Sequence, residues 1–177
     1  MNVIQALSIQ NNAAEILQLQ NALDKDQRNR FSLTNVNTLG DGLARLAGGR
    51  GEERFDIVLL GINFAAGSCP AAVEKIKSLA PALPIVVCAN ETDEEQSLQA
   101  LQTGVQDCLV KTSAGFSLAA RSIRAAIERQ RAAEVISAQR DLARMVGAVV
   151  SHETALPLCL EIAIRISGMD SGGDILV

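Results

Sequence analysis

Three short, almost uninterrupted apolar runs constrain this chain more than any other feature: Phe55-Asp56-Ile57-Val58-Leu59-Leu60, Pro84-Ile85-Val86-Val87-Cys88-Ala89 and, more weakly, Asp107-Cys108-Leu109-Val110. A strand that is apolar on successive residues offers no face to water, so it belongs inside a sheet covered on both sides. The segments between the runs supply the cover, because Ala71 to Leu79 and Asp93 to Leu101 both read as amphipathic helices. Upstream, Val3 to Ile9 is another apolar run, ended by the turn-like Gln10-Asn11-Asn12. Ala13 to Leu23 then sets Ile16, Leu17, Leu19 and Leu23 at helical spacings behind Asn12, a good N-cap. Phe31 to Val36 alternates apolar and polar residues, as a sheet-edge strand does. A helix from Thr38 to Ala47 precedes the loop Gly48-Gly49-Arg50-Gly51. Five strands alternating with helices predict an α/β fold: a five-stranded, doubly wound parallel sheet over residues 1–130. Chemistry in such sheets sits at the carboxyl ends of the strands.

Beyond the last strand the pattern changes. From Phe116 to Val150 there is no proline and one glycine, Gly147, among residues that favour helix. One long helix is expected, about 50 Å at 1.5 Å per residue. Residues 131–150 form its projecting part, where Val135, Leu142 and Val149 are spaced by seven with Ala138 and Met145 between them. That stripe needs a partner: a second copy of the chain, giving a homodimer through the C-terminal helix, or the chain's own C-terminal segment. A second candidate contact face is the Ala-rich one around Leu118, Ile123 and Ile127.

Composition removes several function classes. The 177 residues suit one domain and a remainder. A net charge of -4, with four Phe and neither Tyr nor Trp, leaves little to bind phosphate backbones or stack on bases, so no nucleic-acid partner is expected. The N-terminus lacks the basic start and apolar run of a secretion signal, and no apolar stretch is of membrane-spanning length. A cytoplasmic protein without a membrane partner is the expectation. Cys69, Cys88, Cys108 and Cys159 show no CxxC spacing and His152 is the sole histidine, so no structural metal and no cofactor are expected. The cysteines read as reduced thiols. No nucleophile, base and orienting group gather at one strand end, which argues against an enzyme.

The order of elements, with FDIVLLGINFAAGS at 55–68, LPIVVCANETDEE at 83–95 and ALQTGVQDCLVK at 100–111, resembles the receiver domain of two-component response regulators, a flavodoxin-like fold. The resemblance covers residues 3–130. It implies transfer of a phosphoryl group to an aspartate, aided by Mg²⁺ on acidic side chains, a lysine and a hydroxyl. In this alignment the acceptor aspartate falls on Gly61, and the acidic pair on Gln10 and Asn11. The hydroxyl falls on Ala89 and the aromatic switch on Cys108. Lys111 alone remains, followed by Thr112 in place of the usual proline. The resemblance therefore implies a pseudo-receiver, a signalling module that works through a partner such as a histidine kinase or the output domain of its own chain. Lys111, deprived of a family-type counter-ion, is either a solvated lysine at a loop edge or the seat of a small anion in the vacated pocket. Asp56, Asp93 and Glu94 are nearby acids at unsuitable strand positions.

Residues 151–177 carry two competing resemblances. Ala155 to Val177 looks like the opening helix and first strand of a GAF-type sensory domain, which implies a piece of a longer signalling protein. Ser151-His152-Glu153 with Pro157-Leu158 resembles the phosphoacceptor box of a sensor histidine kinase, which implies phosphotransfer through His152. An ordinary histidine on the helical seam is the plainer alternative.

Overall fold

The computed structural model describes the backbone of residues 3–48, 54–62 and 68–167, with side chains as far as Met145. The elements run β1 (Val3–Ile9), α1 (Ala13–Asp24), β2 (Arg30–Val36), α2 (Leu39–Gly48), β3 (Ile57–Gly61), α3 (Cys69–Leu79), β4 (Ile85–Ala89), α4 (Glu94–Gln102), β5 (Asp107–Val110), α5 (Ser113–Ser117) and α6 (Ala119–Ser167). All strand pairs are parallel, in the order β2-β1-β3-β4-β5. The five-stranded doubly wound sheet expected from the apolar runs is the sheet observed.

Strand alternation divides the core in two. Ile4 and Ala6 of β1, Ile57 and Leu59 of β3, Val86 and Cys88 of β4 and Leu109 of β5 face one layer. Leu19 and Leu23 of α1, Phe116 of α5 and Ala119, Ala120, Ile123, Ala126 and Ile127 of α6 close that layer. The intervening residues Leu7, Ile9, Val58, Leu60, Ile85 and Val87 face the other, packed against Ala72, Val73 and Ile76 of α3 and Ala100 of α4. Burying a Leu or Ile is worth about 1.5–3 kcal/mol, so Leu19 and Leu23, fully covered, set the rotation of α1 and leave Leu17 in solvent.

The helical end differs from the expectation in two places. The helix does not start at Phe116: Leu118 caps α5, its N–H donating to the carbonyls of Gly115 and Phe116, and α6 begins at the next residue. At its far end α6 does not stop near Val150 but continues, through Pro157, to Ser167, 49 residues in all. The turn and strand expected after it, in residues 168–177, lie outside the described residues. The chain divides into two compact units, Met1–Ala133 and Glu134–Val177. Within the first unit, ion pairs and hydrogen bonds hold the start of α6 in place. Arg124 lies 2.7 Å from Asp26, Arg131 3.9 Å from Asp56, and the Arg129 guanidinium donates to the Gln106 carbonyl. No described helix is long and apolar enough to cross a membrane.

Candidate functional site

The carboxyl ends of β1, β3 and β5 turn three of the singled-out residues toward the α1 layer: Gln10, Gly61 and Lys111. Strand parity decides this, since Gln10 follows Ala6 and Ser8, Gly61 follows Ile57 and Leu59, and Lys111 follows Leu109. Ala89 and Cys108 have the opposite parity and pack with the α3 and α4 layer. Asn11 is exposed.

Gln10 is 3% exposed, a polar side chain among apolar ones. Its amide nitrogen donates to Ser8 Oγ at 3.1 Å, its backbone N–H donates to the Val36 carbonyl, and its own carbonyl accepts from Asn35 Nδ2. Its Oε1 is buried without a partner. A Cβ built on Gly61 would lie 3.1 Å from Gln10 Cγ and 3.7 Å from its Cβ. Glycine at position 61 and glutamine at position 10 are therefore one packing unit, with the stem of Gln10 lying over the Gly61 backbone.

Lys111 corrects the expectation of a solvated or free cation. Its Nζ lies 2.7 Å from Glu15 Oε2, and the two side chains are 5% and 21% exposed. The backbone on both sides holds this pair in place. The Lys111 N–H donates to the Ala89 carbonyl at 2.7 Å, and Asn12 caps α1 by accepting from the N–H groups of Ala14 and Glu15. Thr112 caps α5 by accepting from the Gly115 N–H. Gly115 is required there, because a Cβ would overlap the Val110 carbonyl oxygen. Glu15 was not singled out in the sequence. The signal available was an acid in the first turn of a helix that opens at the carboxyl edge of the sheet.

Three thiols surround this edge, and burial pushes each of them up. Cys88, fully buried on β4, is raised to about 12, chiefly by desolvation. Lys111 pulls it down while Cys108 and Glu15 push it up, so the ion pair acts on Cys88 with opposing signs. Cys69, at the start of α3, is raised to about 11 by burial and then by Cys108. Burial also raises Cys108, against a hydrogen bond with Ser97. These are protonated, apolar-like thiols at neutral pH.

The off-pattern acids are engaged in structural bonds. Asp56 accepts from the Gln5 N–H at 2.9 Å, at the start of β3, and Asp93 accepts from the backbone N–H and the side-chain amide of Asn90. Among the described residues no group of three His, Cys, Asp or Glu side chains is placed to hold a metal ion. On the helix, Val135, Leu142 and Met145 are 56%, 59% and 61% exposed, and Ala138 is exposed between them. Ile127 and Ile123 are removed from the candidate contact face, because both are buried in the domain's own core, whereas Leu118 is exposed. The side chains of Val149 and His152 lie outside the described residues.

No protein-family model matches the chain. A stretch of 60 residues is 35% identical to the transcriptional regulatory protein ZraR of Escherichia coli K12 and of O157:H7, which is 34% of this chain and 14% of that protein. Among solved structures, a CheY-like response regulator receiver domain from Methanospirillum hungatei matches with a TM-score of 0.59 at 18% identity, covering 73% of this chain and 98% of its own. The phosphorylated cyanobacterial phytochrome response regulator RcpA matches with a TM-score of 0.55 at 20% identity, covering 66% and 89%. With its five-stranded, all-parallel sheet flanked by helices, the chain carries the CheY-like receiver fold, extended by one long C-terminal helix.

Proposed function

We propose that this chain is a non-enzymatic module of two-component signalling, a pseudo-receiver that acts by protein contact and dimerisation and relays through α6. The observation that carries the reading is the state of the strand ends. The β3 end offers no nucleophile at Gly61, whose backbone is covered by Gln10, and the Lys111 ammonium is already paired with Glu15. An aspartyl phosphate would need a carboxylate, a divalent cation on acidic ligands and a free ammonium, and each place is filled by a group of another kind. The same pair argues against the small-anion reading, since an anion at Lys111 must first displace a resident carboxylate.

The proposed organisation is a receiver-like domain over residues 1–130, a linker helix over 131–150 and the incomplete start of a GAF-like domain over 151–177. Its partners are a second copy and a histidine kinase or output domain, in the cytoplasm. Intact-mass spectrometry after incubation with Mg²⁺ and acetyl phosphate, repeated with a histidine kinase under conditions that preserve phosphohistidine, tests the reading. An unmodified mass in both is expected. An adduct mapped to an aspartate overturns the alignment of the strand ends; one mapped to His152 replaces the reading with phosphotransfer.

A further inference from the structure

The continuation of α6 to Ser167 changes what its apolar stripe amounts to. Counting by sevens from Val135, the two inner heptad positions are Val135, Leu142, Val149, Leu156 and Ala163 in one series, and Ala138, Met145, His152, Cys159 and Ile166 in the other. Every one except His152 is apolar, over more than four heptads, beyond the three or four that mark a coiled coil. The frame shifted by one residue would place Gln139, Glu153 and Pro157 in the seam. In the chosen frame Pro157, whose missing N–H and bulky ring are tolerated only where a helix bends, takes a position outside it.

The occupant follows from length and register. A seam this long needs a helix of equal length, and the next longest described helix, α1, has 12 residues. The chain's own C-terminal segment, as far as Ser167, is itself part of α6 and is not free to fold back upon it. A second copy carries the same seam. Placed parallel and in register, two copies bring Glu134 opposite Gln139, Asp141 opposite Val146 and Ala148 opposite Glu153 at the flanking positions, so no like charges meet. The parallel arrangement also confines the single polar pair, His152 with its counterpart, to one layer. An antiparallel one centred on the seam sets His152 against Val149 in two layers and buries each imidazole without a polar partner.

We propose that residues 135–166 pair with a second copy of this chain as a parallel, in-register, two-stranded coiled coil in which Cys159 meets Cys159 of the partner. This rests on the dimerisation proposed above and adds orientation, register and extent. Mild oxidation of the full chain with copper phenanthroline tests it. Two Cys159 thiols lose two protons to buffer, two electrons pass to two Cu(II) ions, and one S–S bond forms between the copies. Non-reducing gels are expected to convert most of the chain to a dimer band that dithiothreitol reverses and Cys159→Ser abolishes, and sedimentation gives a dimer before and after oxidation. As a second readout, Leu142→Cys in the Cys159→Ser background, 17 residues away in the other series, restores the band. A dimer by sedimentation that cross-links through neither position overturns the parallel register and leaves dimerisation standing. A trimer overturns the two-stranded form, and a monomer overturns both.

Discussion

Removing one partner of the Glu15–Lys111 pair tests whether the receiver edge is locked by its own charges. Glu15→Gln keeps the shape of the side chain and deletes the charge, leaving an ammonium whose side chain is 5% exposed. Breaking a fully buried ion pair costs about 3–5 kcal/mol; Glu15 is one-fifth exposed, which lets some water in and brings the expected cost to about 2–3 kcal/mol. Lys111→Met removes the more buried charge and leaves the carboxylate that can turn toward water, costing about 1 kcal/mol. The double variant has no charge to strand, so it also costs about 1 kcal/mol, and the cycle gives a coupling of about 2–3 kcal/mol. Equilibrium urea unfolding with an unchanged slope measures each corner. In a thermal scan Glu15→Gln lowers the midpoint by about 8–12 °C, at about 4 °C per kcal/mol for a domain of this size. Inorganic phosphate should raise the midpoint of Glu15→Gln and leave the wild type unmoved, because only in the variant is the Lys111 ammonium released from Glu15. Additivity of the two single variants within about 0.5 kcal/mol, or equal stabilisation of wild type and variant by phosphate, refutes the reasoning.

Two further outcomes follow from titratable groups. Burial pushes Asp26 up, but the Arg124 guanidinium and the N–H groups of Asn29 and Arg28 outweigh it and hold the carboxyl below its ordinary value of 3.8. A depressed carboxyl stabilises above its unfolded pKa and loses that contribution as the pH falls through the folded value. Asp26→Asn should therefore cost about 1–2 kcal/mol at pH 7 and nothing once the pH is well below 3.8, in urea titrations at both pH values. Cys88, raised to about 12, should resist a thiol reagent at pH 7.5 in the native state and react on unfolding. Native labelling of Cys88 as fast as a free thiol would mean that β4 is not covered as described.

The fold was legible because hydrophobic burial is written locally. Runs such as Ile57 to Leu60 and Ile85 to Ala89 have no polar face, and that alone demands a doubly covered strand. Helix ends were less legible. The interruption at Leu118 is made by bonds to Gly115 and Phe116 in a turn whose closeness depends on the Val110 carbonyl, a tertiary contact. The site was half legible. The absence of a side chain at Gly61 is visible in the letters, but the partner of Lys111 is not. Glu15 lies 96 residues from Lys111 in the chain and meets it only through the pairing of β1, β3, β4 and β5 (111 − 15). Ile127 misled for the same reason: with Leu118 and Ile123 it reads as an apolar contact face of the helix, and only the sheet beneath turns Ile123 and Ile127 inward.

The first turns of α6 supply five residues to the core, and they leave the ribosome after every strand of the sheet. The final strand ends at Val110, and Ile127, the last of these core residues, follows 17 positions later (127 − 110). At about 5–20 residues per second, the α1 face of a finished sheet waits about one to three seconds for its last cover. During that interval Ile57, Leu59 and Val86 lack the α6 part of their cover, beside the unpaired edges of β2 and β5. Synthesis speed through codons 111–127 thus sets how long the nascent domain is exposed to aggregation and to chaperones, and a pause placed there would lower the yield of folded protein without altering one residue of it.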